Sequence, residues 1–166
     1  MKKLTTLFAI AVYSITQINA QTIIPISGDG NKYEVLDLTG MDKIQWGGND
    51  QIGLPAKSEK NGELNTKAIV TAVGKNSGYD GRAYAAKVCD TITINGMDDW
   101  YLPAKNEAAL IYLNIKTFNW ADDHMTLWTS TEASGTTAVT LYTYNGTWYD
   151  VGKVDSYNLV CIRKVE

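Results

Sequence analysis

Cysteine, proline, histidine and phenylalanine are scarce in this chain: two, three, one and two residues among 166. Two cysteines, Cys89 and Cys161, cannot build a four-cysteine zinc site, and neither belongs to a Cys-x-x-Cys pair of the dithiol redox type. His124 is the sole histidine. Its neighbours Asp122 and Asp123 lack both the three or four ligands that zinc needs and the regularly spaced oxygens of a calcium loop, so the trio reads as solvated loop. A Ser-His-acid triad would have to use that one histidine, and no Gly-x-Ser-x-Gly elbow exists to present the serine. Basic residues never run beyond a pair, so the concentrated cationic surface that nucleic acid requires is missing. Gly47 and Gly48 lack the spacing of a dinucleotide fingerprint or phosphate loop. No metal, cofactor or catalytic set is expected.

Long apolar runs are lacking too. The stretch from Leu4 to Ile18 is uncharged but interrupted by Thr5, Thr6, Ser14, Thr16 and Gln17, and it falls short of the roughly 20 residues of a membrane helix. Preceded by Lys2 and Lys3 and followed by Ile18-Asn19-Ala20, it reads as a secretory leader over 1–20, cleaved before Gln21, which leaves no membrane span. Loss of the two lysines takes the formal charge from −3 to −5. The remainder suits one domain with one sizeable core.

An exported chain with two cysteines favours a structural Cys89–Cys161 disulfide over a reactive thiol. Closing so long a loop contributes about 4 kcal/mol by chain-entropy arguments. Residues 21–61 read as a β-rich extension: a short strand near Thr22 to Ile26, a turn at 27–31, an alternating segment through Tyr33, Val35 and Leu38, and a strand opening at Ile44. From 62 to 166 the pattern becomes α then β. Asn65-Thr66 caps a helix over Lys67 to Val73, and a second runs from Arg82 to about Asp90 with Ala85, Val88 and Cys89 on one face. Asn95-Gly96 makes a turn, and Pro103 opens a third helix to about residue 115 with Glu107 favourable to its dipole. Leu-Pro-Ala-Lys occurs at 54–57 and 102–105 without matching flanks, and reads as two similar corners.

The C-terminal part is strand. Asn145-Gly146 between VTLYTY and TWYDV reads as a two-residue type I′ hairpin, pairing Tyr144 with Thr147 and Tyr142 with Tyr149. Alternation sets Tyr142 and Tyr144 on one face, and with Trp148 and Tyr149 they form a candidate aromatic recognition surface; cross-strand packing is the rival use. Asp98, Asp99 and Glu107 are the acids that a glycosidase reading would recruit, but nothing places two of them across a cleft. Asp98 or Asp99 is expected to satisfy backbone donors of the 95–100 turn instead.

Taken in order, Tyr84-Ala85-x-x-x-Cys89, Gly96, Asp99-Trp100-x-Leu102-Pro103-Ala104, Glu107 and Leu110, then Leu127-Trp128-Thr129-Ser130-Thr131-Glu132, then Val160-Cys161-Ile162-Arg163 resemble the Lcl C-terminal domain family over roughly residues 62–165. That family is similar to the C-type-lectin-like fold of the sulfatase-modifying factors. The resemblance implies a disulfide from the first helix to the last strand and exposed loops around a small sheet that present a binding face. Trp100, Leu102, Pro103, Glu107, Trp128 and Ser130 carry the signature. Tyr101 stands where the family has an arginine, and Leu159 where its closing strand often carries another. The Glu-Pro-Asn, Gln-Pro-Asp and Trp-Asn-Asp motifs of calcium-dependent lectins are absent, as is any cysteine pair for the oxidase chemistry.

The expectation is an α+β, C-type-lectin-like domain: two or three helices against small antiparallel sheets, with a C-terminal hairpin. Functionally it is an exported, non-enzymatic binding or structural module on a bacterial surface or a phage particle, with a protein or glycan ligand or the subunits of a larger assembly as partner. A secreted polysaccharide hydrolase is the alternative.

Overall fold

A computed structural model describes residues 23–48, 51–74, 82–118, 120 and 124–165. The leader, Asp122 and Asp123 lie outside them. In chain order the elements are β1 (Ile23–Gly28), β2 (Asn31–Asp37), β3 (Ile44–Gln45), α1 (Gly62–Val73), α2 (Ala85–Thr91), α3 (Lys105–Leu113), β4 (Thr126–Glu132), β5 (Thr137–Tyr142), β6 (Thr147–Gly152), β7 (Ser156–Tyr157) and β8 (Val160–Val165), with 3-10 turns at Leu54–Ala56 and Ile115–Thr117. The architecture is mixed α+β, three helices with small antiparallel sheets ordered β1-β2-β8, β3-β7 and β4-β5-β6.

Asp29-Gly30 joins β1 to β2 with both residues at positive φ, 49° and 84°, the geometry of a two-residue hairpin whose twist suits its strands. β2 then pairs along its length with β8, Val35 opposite Ile162 and Leu36 opposite Cys161. Of the strands within 21–61, β1 and β2 therefore belong to the same sheet as the last strand, whereas β3 pairs with β7. Period-two alternation sends Tyr33, Val35 and Ile162 into one apolar cluster with Ile24, Ile26, Ile111 and Leu127. It sends Leu36 and Cys161 into another with Trp46, Ile69, Cys89, Trp100, Leu102 and Trp128. Cys89 and Cys161 are fully buried and disulfide-bonded. The helix so anchored is α2, the second in the chain and not the first.

The helix starts differ from expectation. α1 begins at Gly62, and its cap is Asn61, whose side-chain oxygen accepts from the Leu64 N–H at 2.9 Å. Asn65 and Thr66, expected as caps, turn inward instead: Asn65 donates to Ser58 O and Ser130 Oγ, and Thr66 Oγ1 accepts from Leu102 N–H. The early start depends on glycine, because a Cβ at Gly62 would lie 2.5 Å from Leu102 O and 2.7 Å from Ala104 N. In α3 the N-cap is Ala104, so Pro103 precedes the helix and does not open it. Its free N–H groups go elsewhere: Lys105 N donates to Thr131 Oγ1, and Asn106 N to Glu59 O. Glu107 is buried and Leu113 is exposed.

The C-terminal hairpin is present, with a different register. Tyr142 pairs with Thr147, Leu141 with Trp148 and Thr140 with Tyr149, so the turn is four residues, 143–146. Gly146 has positive φ and Asn145 does not, which rules out a type I′ pair. Thr143 is drawn away from the ladder because its N–H donates to Met125 O and its hydroxyl bonds both backbone groups of Met125. No helix among the described residues is long and apolar enough to cross a membrane.

Candidate functional site

The signature residues gather in one internal network. Trp100, Leu102 and Pro103 are buried, as are Trp128 and Ser130. Trp128 donates its indole N–H to Ile44 O at 2.7 Å, Trp46 to Thr129 O at 2.7 Å, and Trp100 to Met97 O at 3.1 Å. Ser130 N–H reaches Pro103 O at 2.8 Å. Glu107 accepts from Gly62 N–H and Ala104 N–H at 2.9 and 2.8 Å, joining the starts of α1 and α3, and from the Tyr101 hydroxyl at 3.1 Å. Tyr101 is thus a buried donor. Burial is the main force pushing the Glu107 carboxyl above its usual range, and its three hydrogen bonds oppose it.

A second buried carboxylate organises the C-terminal end of β4. Glu132 accepts from Ile52 N–H and Gly53 N–H, both at 2.7 Å, and from Lys153 Nζ at 2.7 Å, with both side chains of the ion pair fully buried. Lys153 also donates to Gly135 O at 2.9 Å and lies 4.7 Å from the Trp46 ring. Burial pushes Glu132 up, but Lys153 and the two amides together outweigh it and hold the carboxyl below its usual range.

The acids of the glycosidase reading are not brought together. Asp99 is bound by Arg163 at 2.6 and 3.0 Å, which lowers its pKa. Arg163 also reaches Glu34 at 2.9 Å. Glu107 is engaged by two backbone amides and the Tyr101 hydroxyl, and Glu132 by two backbone amides and Lys153. Among the described residues no set of three His, Cys, Asp or Glu side chains is grouped to hold a metal.

The surface feature that remains is aromatic. Tyr142 is the hub: its ring lies 6.3 Å from Tyr144, 6.4 Å from Tyr149 and 6.4 Å from His124, tilted 50° to 62° to each. His124 stacks on Tyr144 at 4.2 Å and 17°. Tyr144 and Tyr149 are 58% and 48% exposed, and His124 is exposed too. Trp148 does not join them. It pairs with Leu141 on the other face of the hairpin, where Lys105 of α3 lies over it at 5.8 Å. Two further contacts hold the patch in place: Thr140 Oγ1 donates to Tyr149 O, and Gly146 sits so close to Tyr112 that a Cβ would approach the ring to 2.6 Å.

His124, assigned from the sequence to a solvated loop, is the member that sequence reasoning missed. Its signal was the β4–β5 register. Thr126 pairs with Tyr142, and the bonds between Met125 and Thr143 continue that ladder, which sets residue 124 beside residue 144. No protein-family model matches the chain, and no curated protein matches it.

Proposed function

We propose that this protein is an exported, non-enzymatic binding module of C-type-lectin-like fold, similar to the Lcl C-terminal domain. It presents the Tyr142, Tyr144, Tyr149 and His124 end of its β4-β5-β6 sheet to a protein or glycan on a bacterial surface or phage particle. The observation that carries this reading is the contrast between the two aromatic groups. The indoles of Trp46, Trp100 and Trp128 are buried and hydrogen-bonded to backbone, whereas the tyrosine rings cluster at the surface with Tyr144 and Tyr149 exposed. Exposed clustered aromatics supply large contact area with few rotors to freeze, the property that makes tyrosine frequent in recognition surfaces.

The lectin-like assignment draws support from the union of the first and last strands in one sheet, the α2-to-β8 disulfide, and the convergence of the six signature residues. The leader sequence and the buried disulfide support export. The structural duties of Glu107 and Glu132 weigh against the hydrolase alternative.

The test is binding of the oxidised, labelled protein to the surface of the cells that produce it. Tyr144→Ala/Tyr149→Ala should lower the bound fraction roughly tenfold or more, as loss of two contact aromatics does, with the urea midpoint unchanged. Undiminished binding by a folded double variant overturns the proposal.

A further inference from the structure

The two three-stranded sheets have four outer strands, and three of these are closed or blunted against further pairing. Pro25 sits within β1, where it removes a donor, and Gly28 at the end of that strand lies against Leu110 of α3. Ile162 of β8 exchanges both backbone bonds with Tyr101, at 2.8 and 2.9 Å. Along the outer side of β4, Trp128 N–H donates to Asn158 O, Asn158 N–H to Thr126 O, and Ser130 N–H to Pro103 O. β6 is the exception. Its sequence, Thr147-Trp148-Tyr149-Asp150-Val151-Gly152, holds neither the proline nor the lysine that commonly protects an edge. Lys153 N–H donates to Thr136 O just beyond the strand, so residues 147, 149 and 151 turn their backbone groups toward β5. Trp148 and Asp150 turn theirs outward, and no described residue bonds to them there. Their side chains share one face, on which Lys105 of α3, held at 3.0 Å by Glu59, lies 5.8 Å from the Trp148 ring. Asp150 is exposed and pairs with no described cation.

We infer that β6 pairs with β6 of a second copy, antiparallel about a two-fold axis at Tyr149, so that β4-β5-β6 continues as one sheet through both copies. Only outward-facing backbone groups can bond across such an edge, which limits the choice of register. With Tyr149 opposite Tyr149, Trp148 and Asp150 of each copy exchange backbone bonds with Asp150 and Trp148 of the other. Opposed residues lie on the same face, so Asp150 arrives beside Trp148 of the second copy and within reach of the Lys105 over it. The axis repeats that ion pair at the other end. The adjoining register would set Asp150 against Asp150, like charges directly opposed. The contact uses the same patch on both copies and closes at two. One strand pair buries little surface, so association is reversible and depends on concentration. The pairing stands without the ligand reading above, yet it joins the two tyrosine clusters, because Tyr149 lies on the face that carries Tyr142.

Sedimentation velocity of the oxidised protein over a dilution series tests this. The wild type should pass from monomer to dimer as concentration rises, with no larger species. Asp150→Lys and Lys105→Glu each set like charges together at both ends of the interface, and each should weaken the dimer roughly tenfold or more. An equimolar mixture of the two variants should recover it, since the mixed dimer has opposite charges at each end. Asp150→Pro removes an outward N–H while leaving the bonds to β5 in place, and should be monomeric with its urea transition still cooperative. A wild type that stays monomeric throughout the series overturns the pairing. So does a dimer that persists in folded Asp150→Pro, or one that forms as readily in both charge variants as in the wild type. A mixture that stays monomeric while the wild type dimerises overturns the register and the ion pair with it.

Discussion

Two Leu-Pro-Ala corners, at 54–56 and 102–104, are each tied down by a buried glutamate that accepts two backbone N–H groups, yet the two are neutralised in opposite ways. Glu132 holds Ile52 and Gly53 and has a buried lysine as counter-charge. Glu107 holds Gly62 and Ala104 with a phenol in place of a cation, its charge facing the N-terminal ends of α1 and α3. The first corner therefore depends on an ion pair that links three chain segments around 52–53, 132–135 and 153. The second depends on hydrogen bonds and close packing. What surrounds each corner follows: Leu54 projects outward, 86% exposed, while Leu102 is fully buried. One motif serves as a surface loop anchor and as a core joint, according to where its carboxylate sits.

The ion-paired corner should break hardest. Lys153→Met leaves the Glu132 charge buried without its partner, and a loss of about 3–5 kcal/mol is expected in urea unfolding of the oxidised protein. The double variant Glu132→Gln/Lys153→Met should cost less than Lys153→Met alone, since no charge is then stranded. A Lys153→Met cost below about 1 kcal/mol would show the pair to be solvated and end the contrast. Next comes the leucine test. Leu102→Ala should cost about 2–5 kcal/mol through the cavity it leaves. Leu54→Ala should stay within about 0.5 kcal/mol. Equal effects would mean that the corners are alike after all. Gly62→Ala follows, at about 1–3 kcal/mol, because its Cβ meets the Leu102 and Ala104 backbone, which cannot swing aside as a side chain would.

Much of this contrast could be read in advance only in part. Cys89 and Cys161 were pairable from count and compartment, and the run of strands after residue 126 was legible from the turn residues between them. The order of contacts was not. Glu107 looked like a helix-dipole charge because first-turn acids usually are, and its burial depends on Gly62, 45 positions away and carrying no local sign of that approach. Lys153 gave no warning of burial, since a lysine between strands is normally wet; its partner lies across two turns of the chain. The hairpin misled through a strong local signal. Asn145-Gly146 fits a two-residue turn, but Met125 captures Thr143 and the turn lengthens to four. Local chemistry set the elements, and long-range hydrogen bonds decided where they stop.

The smallest expected effect separates the two glutamates most directly. Burial raises Glu107 above its ordinary 4.5, so the folded protein holds that proton more tightly than the unfolded chain. Its contribution is complete below the ordinary value and is lost as pH rises through the raised one. Glu132 is shifted down, so the unfolded chain holds the proton more tightly; its contribution is present above the ordinary value and is lost as pH falls through the lowered one. Each group exchanges at most one proton on unfolding, which limits either slope to about 1.4 kcal/mol per pH unit. Urea midpoints measured from pH 3 to 8 should show Glu107→Gln losing less stability than the wild type as pH rises from 4.5. Glutamine keeps an acceptor for Gly62 and Ala104 while having no proton to exchange. Glu132→Gln/Lys153→Met should lose less than the wild type on the acid side. If both variants keep the wild-type profile, neither carboxylate titrates with folding, and the corners differ in packing but not in charge.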